Sequence, residues 1–221
     1  MVREGSDPLG SHKVFVPYII KMTQIYCVLD CSGSMSPYVE RTISGFNEFV
    51  QSSAKDSVLS LILFSDTVQV ISENIKISDV EPLTASSYKP LGSTALLDGI
   101  GHAIELAEKF ESKSWADDGT VIILIMTDGM ENSSKKYTKT QINKLITKKK
   151  LLDWNFIFMG ANQDAIRTAS EFNIHEDSSL TFDTNNVKDA FWSASHAIDR
   201  SQNGGDLRFT PVERNRSCPS T

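Results

Sequence analysis

The sequence has few cysteines, and their spacing is not that of a disulfide framework or a zinc site. Only Cys27, Cys31 and Cys218 occur among the 221 residues, and no two of them form a CxxC pair. An odd number of thiols without that spacing favours neither stabilisation by disulfides nor a thiolate-bound metal. We therefore expect reduced cysteines, as in a cytoplasmic protein.

Long apolar runs and an excess of basic residues are also missing. The longest apolar runs, 14–20 and 121–126, are far shorter than the roughly 20 residues of a membrane-spanning helix. The 22 Lys and Arg residues are outnumbered by 28 Asp and Glu residues, and the formal net charge is -6. Binding to nucleic acid requires clustered basic surface. These features predict a protein that binds neither membranes nor nucleic acid, and the absence of an apolar signal stretch also favours the cytoplasm.

Apolar β-rich segments alternate with amphipathic segments over most of the chain. Strands are predicted at 25–29, 58–64, 68–77, 121–126, 155–159 and 180–182. Helices are predicted at 37–50, 97–107, 141–152, 164–172 and 187–200. The first helix is expected to begin at Ser36 and Pro37, as N-cap and first helical residue.

This order predicts a doubly wound, Rossmann-like α/β fold with helices on both faces of a mainly parallel sheet. The short connection between 58–64 and 68–77 suits a hairpin, so one edge strand is expected to be antiparallel. We assign residues 22–201 to the domain and residues 1–21 to an N-terminal extension. Residues 202–221 are polar and rich in turn formers, which predicts a flexible tail.

Residues with side-chain oxygens cluster in three predicted loops. Asp30, Ser32 and Ser34 follow the first strand, Thr94 precedes the second helix, and Asp128 follows the apolar strand at 121–126. In a doubly wound fold such loops meet beyond the carboxyl ends of the strands. Two carboxylates and three hydroxyls suit a hard divalent cation such as Mg²⁺, with Mn²⁺ or Ca²⁺ as alternatives. Taken singly, each fragment is equally typical of a turn or a helix cap.

The three fragments DCSGSM, GSTAL and TDG, in this order and spacing, resemble the metal-ion-dependent adhesion site (MIDAS) of von Willebrand factor A (vWA) domains. The resemblance covers roughly residues 24–200, and the stretch WNFIFMGANQDAI is similar to small stand-alone members from bacteria and phages. It implies a complete site in which Ser32, Ser34 and Thr94 bind the metal through hydroxyls. Asp30 and Asp128 would act directly or through water, and Asp98 would have a supporting role.

The resemblance implies a module that binds proteins and is not an enzyme, with a partner that offers Asp or Glu to the bound metal. Two other functions remain open from the residues. One is a Mg²⁺-dependent phosphatase-like hydrolase with Asp30 as nucleophile, although the expected second acid two residues later is Ser32. The other is a scaffold in which the metal serves stability alone.

Overall fold

The computed structural model describes residues 22–110, 119–161 and 165–219. The predicted N-terminal extension, residues 1–21, lies outside the described residues. In the described part the chain forms one sheet flanked by helices.

Six strands form the sheet in the order β3-β2-β1-β4-β5-β6. Their bounds are β1 Thr23–Asp30, β2 Val58–Phe64, β3 Val68–Lys76, β4 Thr120–Thr127, β5 Asn155–Gly160 and β6 Ser179–Thr181. The pairs β1–β2, β1–β4, β4–β5 and β5–β6 are parallel, whereas β2–β3 is antiparallel. The predicted sheet with one antiparallel edge strand is confirmed. Because β1 is central and buried along its whole length, side chains can become accessible only where the strand ends.

Six α-helices accompany these strands in the described residues. They are α1 Val39–Ser52, α2 Leu96–Phe110, α3 Lys139–Lys150, α4 Ala165–Glu171, α5 Val187–Gln202 and α6 Pro211–Ser217. One apolar core lies between the sheet and α1 and α5, and a second lies between the sheet and α2, α3 and α4. Alternate residues of β1 enter the two cores, as the two-residue period of a strand requires. No helix of the described residues combines the length and apolar character needed to span a membrane.

The first helix begins later than the sequence predicts. Ser36 and Pro37 lie within a 3₁₀ segment, Gly33–Tyr38, and α1 starts at Val39. Met35 in this segment is buried, with 1% of its surface exposed. The tighter winding starts with a hydrogen bond from the Met35 amide to the Ser32 carbonyl (3.1 Å), and it places Met35 in the core directly after the candidate metal residues.

The prediction of a flexible C-terminal tail is wrong for residues 203–219, which we call the C-terminal segment. Leu207 and Phe209 are buried in the core beside α1 and α5. The short helix α6 begins with a capping box, in which Thr210 and Glu213 satisfy each other's backbone amides. Two apolar residues are too few to produce a periodic pattern, so the polar composition of this segment concealed its packing.

A partly buried ion pair holds α6 against α5. The Arg200 guanidinium donates to Glu213 Oε1 at 2.9 Å. Burial alone would raise the pKa of Glu213, but the Arg200 contact and the Thr210 hydrogen bonds lower this pKa below its ordinary value. The carboxylate is therefore stabilised in its ionised form by contacts made only in the folded chain.

If the C-terminal segment contributes to the core, Phe209→Ala should lower the free energy of unfolding by about 3 kcal/mol, the usual cost of truncating a buried Phe. The matched control is Val212→Ala on the same segment. Val212 is 70% exposed, and its truncation should change stability by less than about 0.5 kcal/mol. Urea denaturation measures both. Equal unfolding midpoints for the two variants would show that the segment does not pack on the domain.

Candidate metal centre

Asp30 ends the central strand and is almost completely buried, with 1% exposure. Its Oδ1 accepts a hydrogen bond from the Ser32 amide (2.8 Å), and its Oδ2 accepts one from the Thr127 hydroxyl (2.6 Å). The parallel register of β1 and β4 places the end of one strand beside the end of the other, which brings Thr127 to Asp30. Both carboxylate oxygens are thus oriented by neighbouring groups.

Two serines connect this loop with the loop after β4. The hydroxyl oxygens of Ser32 and Ser34 are 3.0 Å apart, and Ser34 donates a hydrogen bond of 2.6 Å to Asp128 Oδ1. A Cβ atom placed on Gly129 would lie 3.4 Å from Thr94 Oγ1 and 3.8 Å from Ser34 Oγ. The hydroxyls of Thr94 and Ser34 therefore face the same space beside Gly129. The fold brings all five predicted metal residues to one edge of the sheet.

The Thr94 loop is held by backbone hydrogen bonds on both sides. The Gly33 amide donates to the Gly92 carbonyl (3.0 Å), and the Ala95 amide donates to the Ser65 carbonyl (2.8 Å). Gly92 has φ of +80°, a conformation that favours glycine. The Asp66 carboxylate accepts from the Ser93 amide at 2.7 Å. The position of Thr94 is thus set by the loops after β1 and β2.

Asn132 also holds Thr94, although the sequence did not single it out. Its side-chain oxygen accepts a hydrogen bond from the Thr94 backbone amide (2.8 Å), and its backbone amide donates to the Thr94 carbonyl (3.0 Å). The sequence does not single out Thr127 as a partner of Asp30 either. Both lie beside Asp128 in the motif MTDGMEN, but nothing local indicates that their partners are dozens of residues away.

Two further carboxylates bind the β4–α3 loop to the start of α2. Glu131 accepts from the Leu97 amide (2.9 Å) and from the amides of Ser133 and Ser134. Asp98 accepts from three consecutive backbone amides, those of Lys135, Lys136 and Tyr137. Asp98 therefore contacts the loop that carries Asp128, and none of its described hydrogen bonds joins it to a candidate ligand.

The two acids of the centre are held in surroundings that disfavour their charge. Burial raises the pKa of Asp30; hydrogen bonds from Ser32 and Thr127 partly offset this, and the nearby Asp128 carboxylate adds to it. Burial likewise raises the pKa of Asp128, and the hydrogen bond from the Ser34 hydroxyl only partly offsets this rise. A cation placed among these oxygens would relieve both the burial of charge and the mutual repulsion.

The chemistry of the donors fits a hard divalent cation. Within residues 22–110, 119–161 and 165–219, no group of three or more His, Cys, Asp or Glu could hold a metal ion. The candidate set instead combines two carboxylates with three hydroxyls. An all-oxygen set of this kind suits Mg²⁺, Mn²⁺ or Ca²⁺ better than the softer metals.

No protein-family model and no curated protein matches the chain. Solved structures do match. The vWF domain of the type V pili tip protein Mfa5 from Porphyromonas gingivalis matches over 83% of this chain and 97% of its own, with a TM-score of 0.62 and 11% identity. The chain has the vWA fold.

Two other matching structures contain a bound metal. Proximal thread matrix protein 1 from the mussel byssus, "with zinc occupied MIDAS motif", matches over 81% of this chain, with a TM-score of 0.58 and 14% identity. This chain spans only 46% of that protein's length. Manganese-loaded TRAP protein from Plasmodium vivax matches over 75% of this chain and 70% of its own, with a TM-score of 0.54 and 16% identity. At these identities the likeness establishes the fold alone.

Asn132→Ala should weaken Mn²⁺ binding about tenfold, the lower end of the effect of removing a residue that orients a metal ligand. The change leaves the Thr94 backbone amide without its acceptor, so the Thr94 hydroxyl is held less precisely. Isothermal titration calorimetry with Mn²⁺ measures the affinity.

Ser133→Ala is the matched control for this experiment. Ser133 lies in the same loop, and its buried hydroxyl has no hydrogen-bond partner among the described residues. Its removal should leave Mn²⁺ affinity unchanged. Equal affinities for the two variants would contradict the role assigned to Asn132.

Proposed function

We propose that this chain is a metal-dependent protein-binding module with a complete MIDAS. One divalent cation, Mg²⁺ or alternatively Mn²⁺ or Ca²⁺, is held by Asp30, Ser32, Ser34, Thr94 and Asp128, and a partner protein offers an Asp or Glu side chain to it. The observation that carries the proposal is the contact of Ser32 and Ser34 with each other and of Ser34 with Asp128. These two contacts bring oxygen atoms from the loops after β1 and β4 to one point. The metal-carrying vWA structures described above support it.

The surface position of the centre favours binding of a partner over a purely structural metal. Ser34 is exposed and Asp128 is only half-buried, whereas Asp30, Ser32 and Thr94 are buried beneath them. The donor groups therefore form a cup that is closed on the protein side and open towards solvent. A metal that served stability alone would gain from enclosure on all sides.

The charge balance explains why the partner group should be acidic. The carboxylates of Asp30 and Asp128 together neutralise a divalent cation, and the three hydroxyls are neutral. When bound, the ion supplies concentrated positive charge with room for a further oxygen ligand. The protein's part is to orient the donors and to exclude water from the buried side, while the surrounding loops select the partner.

The phosphatase-like alternative is less well supported by the environment of Asp30. A nucleophilic carboxylate must reach the substrate, but both oxygens of Asp30 accept hydrogen bonds and the residue is 1% exposed. Ser32, two residues later, cannot serve as a general acid near neutral pH. We therefore propose a binding role without catalysis.

We also propose that the module acts in the cytoplasm, as a relative of the small stand-alone bacterial and phage members. The cysteines support this location: Cys27 and Cys31 are buried free thiols, and Cys218 is an exposed free thiol. An oxidising compartment would favour pairing or modification of the exposed one.

Saturating the centre with Mg²⁺ or Mn²⁺ should raise the melting temperature. At 100 times its dissociation constant, a ligand that binds only the folded state adds about 2.7 kcal/mol, or roughly 5 to 10 °C for a domain of this size. The double variant Ser32→Ala/Ser34→Ala should lose this shift, whereas Ser36→Ala, which changes an exposed serine just beyond the centre, should keep it. A thermal-shift series compares them. An equal shift in all three proteins would exclude the assigned ligands.

Partner binding should require both the metal and the Thr94 hydroxyl. In pull-downs from a lysate, a specific partner should be lost with EDTA, return with Mg²⁺, and be lost again with Thr94→Ala. The control variant Ser93→Ala alters an adjacent exposed residue and should bind normally. Changing the partner's contacting acid to its amide should weaken binding by about 1.5 to 3 kcal/mol.

Two outcomes would contradict this mechanism. One is a partner whose affinity responds neither to chelation nor to Thr94→Ala. The other is metal-dependent release of phosphate from a substrate that Asp30→Asn abolishes, which would support the hydrolase instead.

A further inference from the structure

Tyr88 is a buried tyrosine whose hydroxyl contacts the end of the central strand. It lies in the connection between β3 and α2 and is 1% exposed. Its hydroxyl donates a hydrogen bond of 2.5 Å to the backbone carbonyl of Asp30, which is 58 positions earlier in the chain. A buried tyrosine hydroxyl usually has a hydrogen-bond partner, and here that partner is the first residue of the candidate metal centre.

This hydrogen bond holds one end of the peptide group that joins Asp30 to Cys31. At the other end of the same group, the Cys31 amide donates to the Phe64 carbonyl at the end of β2 (2.7 Å). Because a peptide group is planar, contacts at its oxygen and at its nitrogen together fix its orientation. The direction in which the chain leaves β1 is therefore set by Tyr88 on one side and by β2 on the other.

The next peptide group, between Cys31 and Ser32, is held in the same way. Its carbonyl oxygen accepts a hydrogen bond from the Leu91 amide (2.9 Å), and its amide donates to Asp30 Oδ1 (2.8 Å). Leu91 lies in the same connection as Tyr88. That connection therefore supports both peptide groups between the first two candidate ligands.

The connection between β3 and α2 is itself fixed to the domain. The Tyr88 amide donates to the Thr84 carbonyl (2.8 Å) and closes a turn. Leu83, just before this turn, is 2% exposed, and both of its backbone groups are hydrogen-bonded to the side chain of Asn47 on α1 (2.9 and 2.8 Å). The Tyr88 ring packs in the core that includes α1 and α5. Its hydroxyl therefore has a fixed origin from which to act.

We infer that Tyr88 is a positioning residue for the candidate metal centre. Through the peptide group after Asp30, its hydroxyl sets where the side chains of Asp30 and Ser32 lie relative to Thr94, which follows Tyr88 by six residues. Tyr88 acts through these ligands and does not itself bind the ion. Because the centre is part of the proposed function, this role rests on that function.

Tyr88→Phe removes the hydroxyl and keeps the aromatic ring in the core. The variant should bind Mn²⁺ about tenfold more weakly, the lower end of the effect of removing a group that orients a metal ligand. Isothermal titration calorimetry on the full chain, at a temperature well below the melting temperature of every variant, measures the affinity. The electron paramagnetic resonance spectrum of bound Mn²⁺ should also change, because its zero-field splitting depends on the symmetry of the coordinating oxygens.

Two control variants separate positioning of ligands from a general loss of stability. Tyr26→Phe removes another buried tyrosine hydroxyl: Tyr26 is 1% exposed and donates to Gln24 Oε1 (2.9 Å) near the start of β1. Phe209→Ala lowers stability through the C-terminal segment, whose described hydrogen bonds and ion pairs do not involve the five candidate ligands. Both controls should retain the Mn²⁺ affinity and the spectrum of the wild type.

The outcomes distinguish the role of Tyr88 from the proposed function. A wild-type chain without measurable Mn²⁺ affinity would overturn both. Wild-type binding that Tyr88→Phe leaves unchanged would overturn the role of Tyr88 and leave the metal-dependent module standing. An equal loss of affinity in Tyr88→Phe and in either control would assign the effect to stability and would also overturn the role.

Discussion

The buried carboxylate at the end of β1 is the constraint on which the candidate site depends. An ionised group with 1% exposure is costly to bury unless donors surround it. Asp30 meets this requirement through the amide of its own loop and the hydroxyl of Thr127 on the neighbouring strand. These contacts require β1 and β4 to be adjacent, parallel and in one register. The polar contacts at this edge of the sheet therefore depend directly on the order and register of the strands.

Carboxylates away from the candidate ligands make the rest of the edge rigid. Asp66, Asp98 and Glu131 each accept hydrogen bonds from backbone amides of loops that carry or adjoin the ligands. Backbone amides left unpaired at partly buried positions cost free energy, so these side chains replace the secondary structure that the loops lack. The donor oxygens are consequently held in position before any ion arrives, which reduces the ordering cost of binding.

The C-terminal segment stabilises a different part of the domain. Its contacts run to α5 and to the short edge strand β6, where Arg214 donates to the Ser179 carbonyl at 2.8 Å. Its described hydrogen bonds and ion pairs do not involve the five candidate ligands. Stability from this segment and metal chemistry at the ends of β1 and β4 are therefore separable, and variants of one can be used as controls for the other.

The sequence by itself determined the six strands, five of the six described helices, the antiparallel edge and the five residues that converge. These depend on local periodicity and on the rule that loops after parallel strands meet at one edge. Only the tertiary structure decided which groups hold those residues. Thr127 on Asp30 and Asn132 on Thr94 are pairs separated by 97 and 38 positions, and no local pattern encodes such a distance. The same reason explains the C-terminal segment, because Phe209 is buried in a core whose other residues come from as far back as β1 and α1.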